Sequence, residues 1–329
     1  MKHIIVGGDG FVGRYIARDL LDQNANVIVC DLKKSPIPIY DRAKFIECDI
    51  TNEEDVSRVP FERDDVVYNV AARMLHPIVS RKQRHEYFFS VDYVGAKHVV
   101  DIAMGAGCSR LVQFSTDMVY GRLLTPPPIK EDHPRNPIGE YSDSKRCIED
   151  YCIEKRNEGL RVSIFRPRLI IGPGRLGVLG KLFKLIQMGL PVPMIGAGNN
   201  RYQMVSVFDC ASAAVLSGMK GVVEGEFNLG SETPPKVKTL LRELIDSVRS
   251  RSILVPTPAS LVKSVLRALD AMNLSLMVPE QYEVADLDYV IDIEHTKSAL
   301  GWVPTYDDRT MFHRAFDDFV NGRETTEIF

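Results

Sequence analysis

The sequence predicts an α/β protein built on a doubly wound parallel sheet, with a smaller, mostly helical C-terminal lobe. In the first half of the chain, short apolar runs alternate with helical patterns. A glycine-rich turn directly follows the first apolar run, and after Pro167 glycines and prolines separate shorter helical pieces. Strands that alternate with helices form parallel sheets covered on both faces through right-handed crossovers. We therefore predict a sheet domain over residues 1–166 and a second region, residues 167–329, that returns in part to the sheet.

Each element follows from its local pattern, because buried parallel strands are short apolar runs and the helices between them carry one apolar face. The strands are predicted at Ile4–Val6, Val27–Cys30, Phe45–Cys48, Val66–Asn69, Leu111–Phe114 and Val162–Phe165. The helices of the first half are predicted at Phe11–Gln23, Glu54–Arg58, Arg84–Met104 and Tyr141–Asn157. Those of the second half are predicted at Leu176–Met188, Val207–Met219, Lys236–Ser250, Ala259–Met272, Ile293–Leu300 and Arg309–Asn321.

Length and composition exclude several protein classes. The chain has 329 residues, 45% hydrophobic and 26% charged, which is the balance of a globular protein and not of a disordered or fibrous one. The formal net charge of −3 gives no reason to expect nucleic acid or an anionic membrane as a partner. The six cysteines show neither a Cys-x-x-Cys pair nor zinc-ligand spacing, so reduced thiols and no metal site are predicted. The expected partner is a small molecule.

Targeting and membrane segments are not predicted. The N-terminal residues run directly into glycines, which leaves no room for a signal peptide. The longest apolar stretch of the second half, Ser260–Val278, is interrupted by Lys263, Arg267 and Asp270, which disfavours a bilayer span. We predict an amphipathic helix there, and a cytoplasmic protein.

A glycine-rich turn follows the first predicted strand and opens the first helix. Its glycines are Gly7, Gly10 and Gly13, with Phe11 and Val12 between the last two. Such a turn lets the backbone approach a pyrophosphate, which also meets the free N–H groups of the helix N-terminus. A glycine turn without any ligand is the competing interpretation, because the motif alone is a weak signal.

The second predicted strand is followed directly by a carboxylate. Asp31 lies 18 residues after Gly13, where it can accept hydrogen bonds from an adenosine ribose and would repel a 2′-phosphate. This position favours NAD over NADP, although Lys33 and Lys34 follow closely and could shift the preference.

A phenol and an ammonium lie on one face of the helix predicted from residue 141. Tyr141 and Lys145 are four residues apart, so their side chains are neighbours. The segment Ser115-Thr116-Asp117-Met118-Val119-Tyr120-Gly121 comes before them, at the end of the fifth strand. Hydride transfer between an alcohol carbon and nicotinamide also moves the hydroxyl proton, and a tyrosine can serve as the acid or base for that proton.

Together these motifs resemble the extended short-chain dehydrogenase/reductase family, which includes nucleotide-sugar epimerases and dehydratases. The likeness covers most of the chain and implies an NAD-binding Rossmann domain over residues 1–166 and a substrate-binding region over 167–329. It also implies a homodimer formed through the helices Arg84–Met104 and Tyr141–Asn157. Two further segments are similar to the family's cofactor site: Asp49 and Ile50 match the residues that contact adenine, and Ala71 and Ala72 match the wall beside the dinucleotide.

The resemblance implies a role for each residue of the reacting centre. Tyr141 is the acid–base group, and Lys145 holds the nicotinamide ribose. The Thr116 hydroxyl bonds the substrate oxygen, with Ser115 as the competing hydroxyl. For this role the pKa of the Tyr141 phenol has to fall toward neutrality, and Lys145 and the oxidised nicotinamide are expected to supply the positive charge.

Position 118 bears on the type of reaction. Sugar 4,6-dehydratases of the family read Thr-Asp-Glu where this chain reads Thr116-Asp117-Met118, and a methionine cannot abstract a proton from carbon. Ketone reduction, alcohol oxidation and epimerisation stay open, while 4,6-dehydration is disfavoured. Asp117 is predicted either to orient a substrate hydroxyl or to cap its loop.

Arg201 is the first candidate for a substrate anchor and Arg175 is the second. Residues 196–209 resemble the stretch with which nucleotide-sugar enzymes present an arginine to the diphosphate, and a guanidinium can bind phosphate oxygens in a bidentate fashion. An exposed structural arginine is the competing interpretation. Two positions depart from the family pattern, since Asp92 and Leu169 stand where the family has asparagines.

The first hypothesis is an NAD-dependent epimerase or ketoreductase that acts at a hydroxyl or keto carbon of a nucleoside-diphosphate sugar. The second is a dehydrogenase or ketoreductase of a bulky apolar alcohol, such as a hydroxysteroid or terpenoid, with the same catalytic residues. A third, from another class, is a regulator that binds NAD without turnover, and the presence of both Tyr141 and Lys145 argues against it.

Overall fold

The computed structural model describes residues 1–73, 75, 78–176, 179–275 and 277–322. Its strands are β1 (His3–Val6), β2 (Val27–Asp31), β3 (Lys44–Glu47), β4 (Val66–Asn69), β5 (Arg110–Phe114), β6 (Arg161–Pro167), β7 (Leu169–Ile171), β8 (Val192–Ile195), β9 (Met204–Ser206), β10 (Gly225–Leu229) and β11 (Leu254–Thr257). Its α-helices are α1 (Phe11–Asp22), α2 (Glu53–Ser57), α3 (Arg84–Phe89), α4 (Ala96–Gly105), α5 (Glu140–Arg156), α6 (Leu179–Gln187), α7 (Val207–Met219), α8 (Val237–Ser247), α9 (Ala259–Ala271), α10 (Pro279–Tyr282), α11 (Glu294–Leu300) and α12 (Asp308–Val320).

Within the described residues, seven strands form one parallel sheet in the order β3-β2-β1-β4-β5-β6-β10. β1 lies between β2 and β4, with Ile5 opposite Val29 on one side and Tyr68 on the other. The chain builds the sheet from β1 to β3 in one direction and from β4 to β10 in the other, so the order reverses between β1 and β4. Ligands of such sheets bind at the carboxyl ends of the strands beside this reversal point.

Helices cover both faces of the sheet. One buried cluster packs Ile5 and Val29 against α1 and α7, and the other packs Ile4 and Ile28 against α4 and α5. Because both faces of each strand are buried, the strands are continuous apolar runs and not alternating ones. The structure thus confirms the predicted doubly wound α/β fold.

The C-terminal half supplies part of the same sheet layer. β10 pairs with β6, with Phe227 opposite Phe165, and α7 packs along α1. The rest of this half forms a lobe with its own core and two small parallel pairs, β7 with β9 and β8 with β11. The sequence analysis placed no strands here, because runs of three to five residues, two of them containing Pro193 and Pro256, carry no usable strand period. The domain boundary near residue 166 stays a prediction.

The helix predicted over Arg84–Met104 is a helical run with a π-helical segment in its middle. α3 ends at Phe89, the segment Ser90–Gly95 has the wider π-helical turn, and α4 continues from Ala96. Such turns are frequent at functional sites. Here the segment carries Asp92, whose side chain is fully buried.

In the described ranges, every helix falls short of the length and hydrophobicity that a bilayer span needs. All six cysteines are free thiols, and all but Cys147 are buried.

Candidate active site

A cleft with a cavity volume of about 170 Å³ opens at the carboxyl ends of the strands, beside the point where the strand order reverses. Of the predicted site residues, Val12, Ala72, Thr116, Asp117, Tyr141, Lys145 and Arg175 line this cleft. Its other described lining residues are Val70, Arg73, Leu75, Phe114, Ser115, Met118, Pro167, Arg168, Leu169, Ile170, Leu176, Leu179 and Gln281. The structure therefore brings residues that follow β4, β5 and β6 together with one face of α5.

The glycine-rich loop is packed too closely for side chains. Gly7 has a φ of +78°, and a Cβ there would lie 2.5 Å from the amide nitrogen of Ala71. A Cβ on Gly13 would lie 2.4 Å from the carbonyl oxygen of Gly7. The N-cap of α1 is Gly10, so no side chain caps the first-turn N–H groups next to Phe11. The loop thus fits a bound pyrophosphate, which would accept hydrogen bonds from these groups.

Asp31 is held against the same loop. Its Oδ2 accepts a hydrogen bond of 2.8 Å from the amide of Asp9, and burial raises the pKa of its carboxyl group. The nearby cation Arg14 is already bound, because its Nε lies 2.9 Å from Asp9 Oδ1. A carboxylate at the end of β2 and a neutralised arginine beside it fit a ribose with a free 2′-hydroxyl better than a 2′-phosphate.

Asp49 and Ile50 follow β3 on the same edge of the sheet. The Asp49 carboxylate accepts hydrogen bonds from the amide (2.9 Å) and the hydroxyl (2.8 Å) of Thr51, so it closes a turn ahead of α2. Ile50 is buried, and its carbonyl oxygen lies 2.9 Å from Nδ1 of His98. The adenine-contacting role of both residues stays a prediction.

Tyr141 lies in the first turn of α5, with its ring against Phe88. Thr116 lines the same cleft, and its side chain acts to lower the pKa of the Tyr141 hydroxyl. Burial and the negative charges of Asp92 and Asp117 raise the pKa of Tyr141 above its ordinary value, and the positive charge of Arg175 opposes this rise. The direction is opposite to the fall that the sequence analysis expected from a neighbouring ammonium.

Lys145 explains this difference, because its charge is already paired. Its Nζ lies 3.2 Å from Asp92 Oδ1 and donates a hydrogen bond of 3.4 Å to the carbonyl oxygen of Phe114. Both charged side chains are almost completely buried, with exposures of 2% for Lys145 and 0% for Asp92. The sequence analysis expected the charge of Lys145 to act on Tyr141 alone, whereas in the structure this charge is paired with the Asp92 carboxylate.

Thr116 and Asp117 begin the short 3-10 turn after β5. The Thr116 Oγ1 accepts a hydrogen bond of 3.2 Å from the amide of Met118, and its hydroxyl donates a longer one of 3.4 Å to Asp117 Oδ1. The Asp117 carboxylate forms a buried ion pair with Arg168. The Arg168 guanidinium lies 4.7 Å from the ring centroid of Tyr289. The sequence predicted that Asp117 either orients a substrate hydroxyl or caps its loop. In the structure its carboxylate binds Arg168, and both predicted roles stay predictions.

The two predicted substrate anchors lie in different surroundings. Arg175 lines the cleft with its guanidinium 5.7 Å from the ring centroid of Phe11, and no carboxylate of the described residues pairs with it. Arg201 is not among the described residues that line the cleft, and it binds Asp288 through Nη2–Oδ2 at 2.7 Å and Nε–Oδ1 at 3.0 Å. Both of these side chains are 41% exposed.

Sequence reasoning missed three features of the cleft: the pairing of Asp92 with Lys145, the pairing of Asp117 with Arg168, and the presence of Arg73. These contacts join elements that are distant in the chain, so no local period or spacing signals them. The one available signal was Asp92 itself, a carboxylate at a position where the resembled family has an amide.

The chain matches the model of the "NAD dependent epimerase/dehydratase family" over residues 3–230. An uncharacterised protein of Sinorhizobium fredii, y4nG, is 29% identical over 322 residues, which cover 97% of this chain and 79% of that protein. UDP-glucose 4-epimerase of Vibrio cholerae is 23% identical and covers 92% and 90% of the two chains. The decarboxylating sterol-4-alpha-carboxylate 3-dehydrogenase of Candida albicans is also 23% identical, over 95% and 96%.

Solved structures show the same fold. The UDP-glucose 4-epimerase of Thermotoga maritima with UDP-glucose superposes with a TM-score of 0.75 at 22% identity, over 98% of this chain and 100% of that one. The UDP-glucose 4-epimerase of Thermus thermophilus in complex with NAD gives a TM-score of 0.73 at 23% identity, over 97% and 99%. With its glycine loop, its carboxylate at the end of β2 and its family match over residues 3–230, the chain belongs to the NAD-dependent epimerase/dehydratase family.

Proposed function

We propose that the protein is an NAD-dependent oxidoreductase or epimerase that transfers hydride at a hydroxyl or keto carbon of a nucleoside-diphosphate sugar. The observation that carries this proposal is that Tyr141, Thr116 and Lys145 line one cleft, which also reaches the start of the helix that the glycine-rich loop opens. Two hydroxyls that can both meet one substrate oxygen, beside a dinucleotide loop, are the arrangement that proton-coupled hydride transfer requires.

The proposed cofactor site uses residues from three strand ends. The loop of Gly7, Gly10 and Gly13 would hold the pyrophosphate, and Asp31 would hold the adenosine ribose. Asp49, Ile50, Ala71 and Ala72 would line the adenine and the dinucleotide wall, with Phe11 and Val12 at the start of α1. Bound NAD supplies the hydride acceptor or donor.

Tyr141 moves the proton in the proposed reaction. In the reducing direction its hydroxyl gives a proton to the carbonyl oxygen of the substrate, and in the oxidising direction its phenolate takes one from the alcohol. In this proposal the Thr116 hydroxyl turns its proton from Asp117 to the same substrate oxygen, while its oxygen keeps the hydrogen bond from the Met118 amide. Because the pKa of Tyr141 is raised, we expect alcohol oxidation to accelerate as the pH rises and carbonyl reduction to persist at neutral pH.

Two cationic side chains support an anionic sugar nucleotide as the substrate. Arg73 and Arg175 line the cleft without a carboxylate partner among the described residues. A guanidinium fits a diphosphate in a bidentate fashion. In this proposal Arg175 is the nearer anchor, and Arg201 contributes only if Asp288 releases it. Met118 at the elimination position disfavours a 4,6-dehydratase and leaves epimerisation or ketone reduction.

A bulky apolar alcohol is the second candidate, and the lining of the cleft supports it. Leu169, Ile170, Leu176 and Leu179 form one apolar wall, and Leu75 and Met118 add to it. One relative, the sterol-4-alpha-carboxylate 3-dehydrogenase, acts by its name on a sterol of this kind. The same Tyr141 and Thr116 would serve this reaction.

The substrate classes are separated by turnover and by two arginine variants. Purified protein is incubated with NAD or NADH and with UDP- and dTDP-hexoses or hydroxysteroids, and products are followed by nicotinamide absorbance and chromatography. We expect Arg175→Ala to weaken UDP-glucose binding by about 10- to 100-fold, the loss of a charged hydrogen bond. Arg242→Ala, on the exposed side of α8, is the matched control. Unchanged UDP-glucose affinity in both Arg175→Ala and Arg201→Ala would favour the apolar alcohol.

Tyr141→Phe tests whether the site is catalytic at all. We expect turnover to fall by about 10²- to 10⁴-fold, the usual contribution of a positioned acid–base group, while NAD binding is retained. Tyr151→Phe is the control, because Tyr151 lies on the same helix and its hydroxyl bonds Asp101. If NAD binds but Tyr141→Phe changes no measured function, the protein is better described as a regulator that binds NAD without turnover.

A further inference from the structure

Asp92 is a buried carboxylate at the centre of the cleft's charge pattern. It lies on the π-helical segment Ser90–Gly95, which turns its side chain toward α5. Its Oδ1 lies 3.2 Å from Lys145 Nζ and also accepts a hydrogen bond of 3.2 Å from the amide of Arg73. Its Oδ2 is buried and has no hydrogen-bond partner among the described residues.

An amide at this position could accept the same two hydrogen bonds without bringing a charge. The carboxylate therefore differs from an amide in its negative charge, which solvent does not screen at this buried position. At short range in a buried site, a unit charge acts on its neighbours far more strongly than it would at the surface. The group that feels it is Tyr141, on which Asp92 acts as the largest single charge.

The other charged groups that face this cluster act in both directions. From the end of β5, Asp117 pairs with Arg168 but still acts on Tyr141 in the same direction as Asp92. From the loop after β7, Arg175 stabilises the Tyr141 phenolate and opposes part of the effect. From α10, the buried Glu280 accepts a hydrogen bond of 3.3 Å from the Tyr141 amide, so it adds negative charge and not positive charge.

The loop after β4 adds one more cation, Arg73. Its guanidinium is turned to the ring of Tyr87, 5.1 Å from the ring centroid. Lys145 is the ammonium four residues after Tyr141 on the same face of α5, and Asp92 is the group that neutralises it.

We propose that Asp92 is a positioning residue that sets the proton occupancy of Tyr141. It neutralises Lys145, so the phenol stays protonated to a higher pH than it would with a neutral side chain at position 92. The inference uses the proposed function only for the role of Tyr141 as acid or base. It assigns to this chain a site in which the protonated, proton-donating form of the tyrosine prevails across the neutral range.

The test is a titration that needs no substrate. The near-ultraviolet absorbance of tyrosinate is measured against pH in the wild-type protein and in Tyr141→Phe, and the difference isolates Tyr141. The same difference is measured in the Asp92→Asn background. We expect the wild-type midpoint to lie above that of free tyrosine, about 10, and Asp92→Asn to lower it by at least about one pH unit, a tenfold change in proton affinity.

Controls separate charge from shape. Asp92→Glu keeps the charge and should retain the wild-type midpoint. Asp150→Asn removes a carboxylate from the outer side of α5, the helix that carries Tyr141. Asp150 pairs there with Arg135 and Arg146, and its replacement should leave the midpoint unchanged. If activity is found, the alkaline rise of alcohol oxidation should move to lower pH in Asp92→Asn by the same amount.

Each outcome decides the inference. An equal midpoint in wild type and Asp92→Asn, or no titration of Tyr141 in either protein before unfolding, overturns it. If Asp92→Asn does not fold, a wild-type midpoint below that of free tyrosine still overturns it. A lowered midpoint in a protein that turns over no alcohol or ketone supports the inference and removes the proposed function.

Discussion

Among the described residues that line the cleft, two cations are bound by carboxylates and two are not. Lys145 pairs with Asp92 and Arg168 pairs with Asp117, so these four charges nearly balance inside the protein. Arg73 and Arg175 are left to face the cleft. Buried pairs of this kind do little for stability, because desolvation offsets most of their attraction. Their consequence is chemical, since they decide which positive charge is available to a substrate and which is not.

The close packing of the cofactor loop predicts that a single added methyl group at Gly13 disrupts it. Gly13→Ala should abolish measurable NAD binding or destabilise the fold, because the new Cβ would lie 2.4 Å from the Gly7 carbonyl oxygen and 2.6 Å from Gly8 Cα. Gly105→Ala is the matched control, since at the end of α4 nothing lies within 4 Å of the new Cβ. There we expect unchanged binding and a gain in stability of about 0.5–1 kcal/mol. NAD titration measures the affinity, and denaturant unfolding measures the stability. Normal NAD affinity in Gly13→Ala would contradict the assignment of this loop as the pyrophosphate site.

The residues of this site were predictable where one short segment carries the signal. The spacings within residues 7–13 and from Tyr141 to Lys145 fix which side chains share a turn or a helix face, and the structure brings the latter pair to the cleft. The fate of Arg201 was not predictable, because its partner Asp288 lies 87 residues away along the chain. The same limit applies to Asp92, since the distance from α4 to α5 is set by packing and not by sequence spacing.

At the scale of elements, the catalytic helix α5 is held from both sides. The α10 residue Glu280 is buried at its N-terminus, where an acidic group is favoured by the free N–H groups of the first turn. On α3, next to it, Arg84 forms a bidentate pair with Asp270 of α9, with Nη2–Oδ1 at 2.5 Å and Nη1–Oδ2 at 3.1 Å. The lobe is thus attached to the helices that carry Asp92 and Tyr141.

The Arg84–Asp270 pair predicts a strongly non-additive double-mutant cycle. Arg84→Ala should cost about 3–5 kcal/mol of unfolding free energy, because it leaves Asp270 buried and unpaired. The double variant Arg84→Met with Asp270→Leu should recover most of this loss, since both buried charges are then removed. Chemical denaturation of the wild type, the single variants and the double variant measures the coupling. A loss below about 1 kcal/mol in Arg84→Ala would mean that the pair is effectively solvated.

Asp308 at the start of α12 predicts a pH dependence of stability. Its Oδ1 accepts a hydrogen bond of 2.7 Å from the Met204 amide of β9, and burial raises the pKa of its carboxyl to about 6 from 3.8. Because the folded state holds this proton more tightly than the unfolded state, the group stabilises the fold at low pH and this contribution is lost as the pH rises from about 4 to 6.

We expect the unfolding free energy of the wild type minus that of Asp308→Asn to fall by about 2 kcal/mol across that interval. Urea titrations at several pH values test this difference. A difference that stays constant with pH would show that Asp308 titrates at its ordinary value. Asp307→Asn is the neighbouring control, since hydrogen bonds to Thr310 lower the pKa of Asp307 and the sign there is reversed.

The order of elements was more predictable than their extent. Short apolar runs predicted β1, β2, β3, β4, β5 and β6 to within two residues. The short strands of the C-terminal lobe escaped prediction because three or four residues cannot show a period, and their pairing depends on partners far along the chain. The π-helical segment also left no mark in the sequence, because its wider turn keeps nearly the same apolar spacing.

At the scale of the whole molecule, the sheet is completed by the second half of the chain. α7 covers α1, β10 covers the edge of β6, and the single tryptophan, Trp302, is 1% exposed with its indole N–H donating to the Asp209 carbonyl oxygen at 3.0 Å. The two regions proposed from the sequence are therefore interleaved in space, although their boundary lies at one point of the chain.

This interleaving predicts that residues 1–166 do not fold by themselves. Such a fragment lacks β10 and α7, so it would expose one unpaired strand edge and the apolar face of α1. We expect it to be aggregated or partly unfolded by circular dichroism and proton exchange. In the full chain, Trp302 fluorescence and far-ultraviolet circular dichroism should report one coincident unfolding transition. A soluble, cooperatively folded fragment would instead establish an independent domain.

The position of β10 also affects how the chain folds during its synthesis on the ribosome. A ribosome delivers β6 well before Gly225–Leu229 emerge, so the growing chain carries an open strand edge while the intervening lobe is synthesised. During that interval the nascent chain can pair with another strand of its own kind. We therefore expect its yield to depend on chaperones that shield such edges, more than its final stability would suggest.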